Sequence, residues 1–134
     1  MQINWKKVPY NDEKEEFERT VKNFSEKADE KENNAFLKKA YMSAKLVSLN
    51  DRDWKNMENT DSWNVGTFEN MQKIIRGNRN ITVIINEFFS NSVRAPITIR
   101  LGEGQLYLVG GNTRLMAASI LDVTPKIVII ETDW

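Results

Sequence analysis

The stretch LYLVGGNTRLMAASIL, residues 106–121, constrains the fold more than any other part of the chain. Its apolar first part predicts a β-strand, and the spacing after the glycines predicts a helix from about Thr113 to Leu121. Glycine adopts positive φ and lets backbone N–H groups approach a ligand closely. We therefore expect an abrupt strand-to-helix turn at Gly110 and Gly111.

This junction has the chemistry of an anion site. The first turn of a helix offers N–H donors without intrahelical acceptors and the positive end of the helix dipole, which together bind phosphate. Thr113 adds a hydroxyl donor, Arg114 a guanidinium and Asn112 an amide. Phosphate binding is therefore predicted at Gly110, Gly111, Asn112, Thr113 and Arg114. The alternative is a plain turn in which Asn112 only caps the helix and Arg114 lies on the surface.

Hydrophobic periodicity predicts the elements around the junction. Residues 96–110 form a hairpin with the turn GEGQ, residues 126–131 form a buried strand, and residues 2–10 form a short N-terminal strand. The expected helices have their apolar positions at Phe17, Val21 and Phe24; at Phe36, Leu37, Ala40, Tyr41, Ala44 and Val47; at Phe68, Met71, Ile74 and Ile75; and at Ile81, Ile84, Ile85, Phe88 and Phe89. The expected caps are Asn33 or Asn34 for the second helix, Thr67 and Gly77 for the third, and Asn80 for the fourth; Trp54 and Trp63 are expected anchors.

Composition excludes several classes of chemistry. The chain has neither cysteine nor histidine, so disulfides, thiolate catalysis and serine–histidine hydrolysis are impossible. Nineteen basic residues balance nineteen acidic ones, so strong DNA binding is not expected. No apolar run approaches the roughly 20 residues of a membrane span, and no signal peptide is evident, which favours a cytoplasmic protein without membrane contact. Catalysis would rely on carboxylates, hydroxyls, lysine, arginine or bound Mg²⁺.

Residues 82–130 resemble the ParB/sulfiredoxin-like superfamily in the order of their elements. A helix is followed by Pro96-Ile97-Thr98-Ile99, the strand LYLVG, a Gly-x-x-Arg junction at residues 111–114, the Ala-rich helix LMAASILDV, Pro125 and the strand KIVII. WKKVP would be the first strand. The resemblance implies an α+β fold: a single domain, residues 1–134, with a small mixed sheet of the N-terminal strand, hairpin and C-terminal strand, packed helices, and residues 11–75 as a helical insertion.

The resemblance also implies that the turn at residues 111–114 binds nucleotide phosphates, with ATP, ADP or CTP and Mg²⁺ as candidate cofactors. Members include CTP-hydrolysing partition proteins, ATP-using sulfiredoxins and kinases of free serine. Asn112 stands where sulfiredoxins have their catalytic cysteine and the kinase-like members a histidine. Gly110 replaces the aspartate of the kinase-like junction, and Ala95 replaces the glutamine of the partition-type members. These departures exclude sulfiredoxin chemistry and leave the reaction type open.

Two further residues are candidates, and other functions stay open. Glu87 is a candidate for holding Mg²⁺ or acting as a base, against an ordinary solvent-facing glutamate. Arg94 precedes the strand and is a candidate phosphate contact, against a merely exposed arginine. The sequence is compatible with three functions. The first is a nucleotide-dependent phosphotransferase or NTPase, the second is a non-catalytic phage or mobile-element accessory protein with a protein partner, and the third is a nuclease-like DNA-processing protein.

Overall fold

The computed structural model describes residues 2–60, 65–74, 81–90 and 92–134, over which helices and strands are interspersed. The strands are Asn4–Lys6 (β1), Leu46–Ser48 (β2), Ser92–Arg94 (β3), Ile97–Arg100 (β4), Leu106–Gly110 (β5) and Lys126–Glu131 (β6). The α-helices are Lys14–Phe24 (α1), Glu30–Ser43 (α2), Asp51–Lys55 (α3), Phe68–Ile74 (α4), Ile81–Phe89 (α5) and Asn112–Ile120 (α6). The predicted α+β class is confirmed.

The larger sheet has four strands in the order β2-β6-β4-β5. Its centre is the predicted hairpin of β4 and β5, with β6 parallel to β4 so that Ile97 pairs with Val128. The N-terminal strand was expected in this sheet, and that expectation is wrong. β4 already has a neighbour on each side, whereas β1 pairs in parallel with β3, Trp5 opposite Val93, as a separate two-stranded sheet.

Helices cover both faces of the larger sheet. On one face, α1 and α2 bury Phe17, Leu37 and Tyr41 against β4 and β6. On the other face, α5 and α6 pack with Trp5, Trp54 and Met71. Successive β6 residues belong to opposite cores, as the period of a strand requires. The range 11–75 therefore contributes strand β2 and one covered face of the sheet as well as helices.

The second helix begins earlier than expected. α2 starts at Glu30, so Asn33 and Asn34 lie inside it, and the prediction that one of them caps it is wrong. Glu30 and Glu32 lie in its first turn, where negative charge interacts favourably with the helix dipole. Val47 is not part of its apolar stripe either, because the helix ends at Ser43 and Val47 is an exposed residue of β2.

The predicted helical period of α5 is confirmed, although one of its expected core residues is not buried. Ile84 and Phe88 are buried, and the Phe88 ring meets Trp5 edge to face at 5.6 Å. Phe89 is 74% exposed, because it lies about 100° around the helix from Phe88 and α5 is covered on one side.

The predicted cap of α4 is confirmed, since the Thr67 hydroxyl accepts a hydrogen bond from the N–H of Asn70 at 3.1 Å. The predictions for Trp63, Ile75, Gly77 and Asn80 lie outside the described residues, as does the side chain of Ile74. Among the helices described, none is long and apolar enough to cross a membrane.

The ammonium group of Lys7 closes the C-terminal end of α2. It donates hydrogen bonds of 2.8, 3.1 and 2.8 Å to the carbonyl oxygens of Tyr41, Met42 and Ala44. Carbonyl groups at a helix end lack intrahelical donors, and a cation there also favours the dipole. We expect Lys7→Met to lower the free energy of unfolding by about 1.5 kcal/mol, measured by urea denaturation.

Lys14→Met is the matched control for this prediction. It removes a lysine whose partner is an exposed Glu18 at 3.8 Å on the same helix. Such a pair contributes under about 0.5 kcal/mol. Equal losses in the two variants would show that the carbonyl contacts of Lys7 add nothing to stability.

Candidate functional site

The junction between β5 and α6 has the predicted strand-to-helix geometry. Gly111 occupies the N-cap position with φ 109°, and Asn112 is the first residue of the helix rather than its cap. The first intrahelical hydrogen bond runs from the N–H of Leu115 to the carbonyl of Gly111 at 3.0 Å. The N–H groups of Thr113 and Arg114 therefore belong to the donor-rich first turn of α6.

The two glycines differ in their surroundings, and only Gly111 lies where a side chain would clash. A Cβ on Gly111 would lie 2.7 Å from Cβ and 2.8 Å from Cα of Pro96. Glycine at this position lets the turn pack against the start of β4, rather than opening the backbone to a ligand. A Cβ on Gly110 would instead lie 3.4 Å from Cγ of Glu16 and 3.7 Å from Oε2 of Glu13. Gly110 thus faces the N-terminal turn of α1.

An open cleft of about 880 Å³ lies at this junction. All five residues predicted at the turn line it, and so does Arg94. The structure therefore brings the predicted phosphate-site residues together on one cavity. The cleft is also lined by four acidic residues at and just before the start of α1: Asp12, Glu13, Glu15 and Glu16.

Glu87 links the two arginines of the site. Its Oε1 is 2.8 Å from Nη2 of Arg94, and its Oε2 accepts a 3.2 Å hydrogen bond from the Arg94 N–H. The same Oε2 is 3.7 Å from Nε of Arg114, which is an ion-pair distance too long for a hydrogen bond. The side chains of Glu87, Arg94 and Arg114 are 16%, 35% and 11% exposed. None of the three is therefore the solvent-facing residue that the alternative interpretations described.

Burial and ion pairing act on the protonation of this cluster in opposite directions. Burial raises the pKa of Glu87, but the hydrogen bonds from Arg94 and the charge of Arg114 outweigh it and leave the pKa below its usual value. Burial, followed by the neighbouring Arg94 charge, lowers the pKa of Arg114, which stays protonated as arginine does in proteins. Glu87 is thus a permanent anion near neutral pH, held by two cations. That arrangement suits a positioning group better than a base.

Glu13 is the carboxylate that sequence reasoning missed. It is 8% exposed, and burial raises its pKa, although the charges of Arg114 and Arg94 oppose the shift. In the sequence it belongs to the charged run DEKEE, which is indistinguishable from an ordinary solvated helix start. Only the packing of α1 against β5 places it beside Gly110.

Asn59 and Thr60 were also missed. The peptide of Glu58 pairs with the free edge of β5, donating to Leu106 and accepting from Leu108 at 2.9 and 3.1 Å. Asn59, at φ 65°, follows, and the Thr60 hydroxyl donates to Oδ1 of Asn112 at 2.7 Å. These two residues form the rim of the cleft next to α6. A left-handed asparagine outside any periodic segment gives little signal in a single sequence.

Among the described residues, no group of three or more carboxylates is arranged to hold a metal ion. Acidic residues at and just before the start of α1 nevertheless line the cleft.

Comparison with known proteins adds no relative: no family model matches the chain, and no curated protein or solved structure matches it significantly.

Proposed function

We propose that the cleft binds the phosphate groups of a nucleotide at the first turn of α6. The observation that carries the proposal is the convergence of this helix N-terminus, the Thr113 hydroxyl, Arg94 and Arg114 on one cavity. A helix N-terminus with nearby arginines favours phosphate over neutral ligands. The volume, about 880 Å³, is that of a small-molecule site rather than of a macromolecular groove.

The acidic wall of the cleft, formed by Asp12, Glu13, Glu15 and Glu16, is consistent with a nucleotide bound as its magnesium complex. Proteins usually hold Mg²⁺ through one or two carboxylates together with substrate phosphates, rather than through a complete cage of side chains. Asp12, Glu15 and Glu16 supply carboxylates on the same cleft as the α6 N-terminus. One or two of them would hold the ion, which would offset the repulsion between phosphate and this wall.

The resemblance to ParB/sulfiredoxin-like proteins supports the same assignment. It implies phosphate binding at residues 111–114, and the cleft lies at these residues. A phosphotransferase or NTPase activity would need Mg²⁺ and a group that activates the acceptor. Glu87 is engaged by two arginines, so Glu15 and Glu16 of α1 are better candidates than Glu87 for activating the acceptor.

Isothermal titration with pyrophosphate, and then with ATP, ADP and CTP with and without Mg²⁺, tests the proposal. We expect micromolar to millimolar binding in wild type and a loss of about tenfold or more in Arg114→Ala, because its charge beside α6 is removed. Phosphate release measured on the same samples reports hydrolysis.

Arg100→Ala is the matched control for the loss of an arginine. Arg100 pairs with Asp53 and Glu131, both at 3.6 Å, and does not line the cleft. Its removal should leave the binding constant unchanged. Absence of pyrophosphate binding in wild type, or equal losses in both variants, would refute the phosphate site.

A further inference from the structure

The segment of residues 58–60 is fastened along the outer edge of β5, at the rim of the cleft. The Glu58 peptide hydrogen-bonds to the backbone of β5 on both sides, at 2.9 and 3.1 Å. The amide of Asn59 then donates to the hydroxyl of Tyr107 at 3.4 Å and to the carbonyl of Leu108 at 3.3 Å. These contacts hold the backbone that leads into Thr60, so its side chain has a defined place beside α6.

The hydroxyl of Thr60 fixes one end of the Asn112 amide. It donates a 2.7 Å hydrogen bond to Oδ1 of Asn112, which is the first residue of α6, and both residues line the cleft. An asparagine amide is planar and carries an acceptor oxygen on one side and an NH₂ group with two donor hydrogens on the other. Any rotation that exchanges the two sides breaks the hydrogen bond from Thr60.

We infer that Thr60 is a positioning residue of the phosphate site, which holds Asn112 so that its amide N–H hydrogens, rather than its carbonyl oxygen, meet the anion at the first turn of α6. The inference rests on the proposed function and concerns recognition at that same site. An N–H group that donates to a charged oxygen forms one of the stronger hydrogen bonds, whereas a carbonyl oxygen in the same place repels the anion. Fixing the amide beforehand also lowers the ordering cost of binding.

A neutral donor matters in this cleft because its cations are partly engaged within the protein. Arg94 directs both Nη2 and its backbone N–H to Glu87, at 2.8 and 3.2 Å. A phosphate group has three strongly accepting oxygens, which need several donors. Asn112 directly precedes Thr113 and Arg114, so its amide adds a donor to the same helical turn.

Titration calorimetry of pyrophosphate with wild type, Thr60→Val and Thr60→Ser tests this role. Valine keeps the branched shape of threonine but cannot hold the amide, so we expect Thr60→Val to bind about five- to tenfold more weakly. Serine keeps the hydroxyl, so Thr60→Ser should bind within about twofold of wild type. If serine loses as much affinity as valine, the methyl group of Thr60 matters instead of its hydroxyl, and the inference fails.

A double-mutant cycle with Asn112→Ala shows whether Thr60 acts through Asn112. The alanine variant should itself bind more weakly than wild type, because the amide donor is lost. Adding Thr60→Val to it should then change the affinity no further, since the group that Thr60 positions is absent. A loss from Thr60→Val that is the same in both backgrounds would overturn the proposed coupling.

Thr132→Val is the matched control, because it makes the same chemical change outside the cleft. Thr132 donates to the Arg100 carbonyl at 2.8 Å and does not line the cleft, so its loss should leave pyrophosphate affinity unchanged. Circular dichroism establishes that each variant is folded, and Thr60→Ala replaces Thr60→Val if the valine variant is not. Wild-type affinity in the Thr60 variant would overturn the positioning role while leaving the phosphate site intact. No pyrophosphate binding in wild type would refute both.

Discussion

Replacing Gly111 with alanine is expected to lower the free energy of unfolding by about 3 kcal/mol. Two costs add. Left-handed backbone, here at φ 109°, disfavours a side chain by about 1–2 kcal/mol, and overpacking adds about 1–3 kcal/mol. The second cost arises because the new Cβ would lie 2.8 Å from the Cα of Pro96, a backbone atom that cannot move alone.

Gly104→Ala separates the two costs. Gly104 also has positive φ, 99°, but a Cβ there would meet nothing within 4 Å. The free energy of unfolding of Gly104→Ala should therefore fall only by the backbone-conformation cost, about 1 kcal/mol. Both variants are compared by urea unfolding. If they lose equal stability, the close approach of the turn to Pro96 has no energetic consequence, and glycine is required at position 111 for its backbone conformation alone.

Local periodicity was sufficient to predict much of the fold. The helical spacing of α1, α5 and α6, the hairpin of β4 and β5, and the apolar run of β6 each occupy enough consecutive residues to show a period. Strands β2 and β3 have three residues each, which is too short for an alternating pattern. Their existence depends on partners distant in sequence, β6 and β1.

The candidate site divides in the same way. Residues 110–114 are contiguous, so the chemistry of a glycine turn and a helix start is visible in the sequence. The acidic side of the cleft, formed by the start of α1, is not visible in the sequence. It depends on how a helix nearly a hundred residues away packs against β5. Glu87 and Phe89 show the limit most clearly. They are close in sequence, yet Glu87, for which a solvent-facing position was one of two interpretations, has a side chain only 16% exposed, whereas Phe89 was expected in the core and is exposed.

Glu87→Gln is expected to lower the free energy of unfolding by about 2–3 kcal/mol at neutral pH. Breaking a fully buried ion pair costs about 3–5 kcal/mol, and the partial exposure of Arg94, at 35%, reduces this. The glutamine keeps the shape of the side chain but leaves two guanidinium groups beside each other without their shared anion. Glu69→Gln, which loses an exposed pair with Lys73 at 3.8 Å, is the control and should change stability by under about 0.5 kcal/mol.

The pH dependence identifies the charge of Glu87 as the cause. Its pKa in the folded protein lies below the usual value of 4.5, so its stabilisation is fully present above pH 4.5 and is lost as the pH falls through the folded value. The gap in unfolding free energy between wild type and Glu87→Gln should therefore be constant from pH 8 to pH 6 and should narrow below about pH 4.5. A gap that persists unchanged in acid would show that the glutamine perturbs packing instead.

Because the substitution also releases both arginines from their anion, the Glu87→Gln variant should bind pyrophosphate more tightly than wild type at neutral pH. A purely structural role of Glu87 would not produce this gain in affinity.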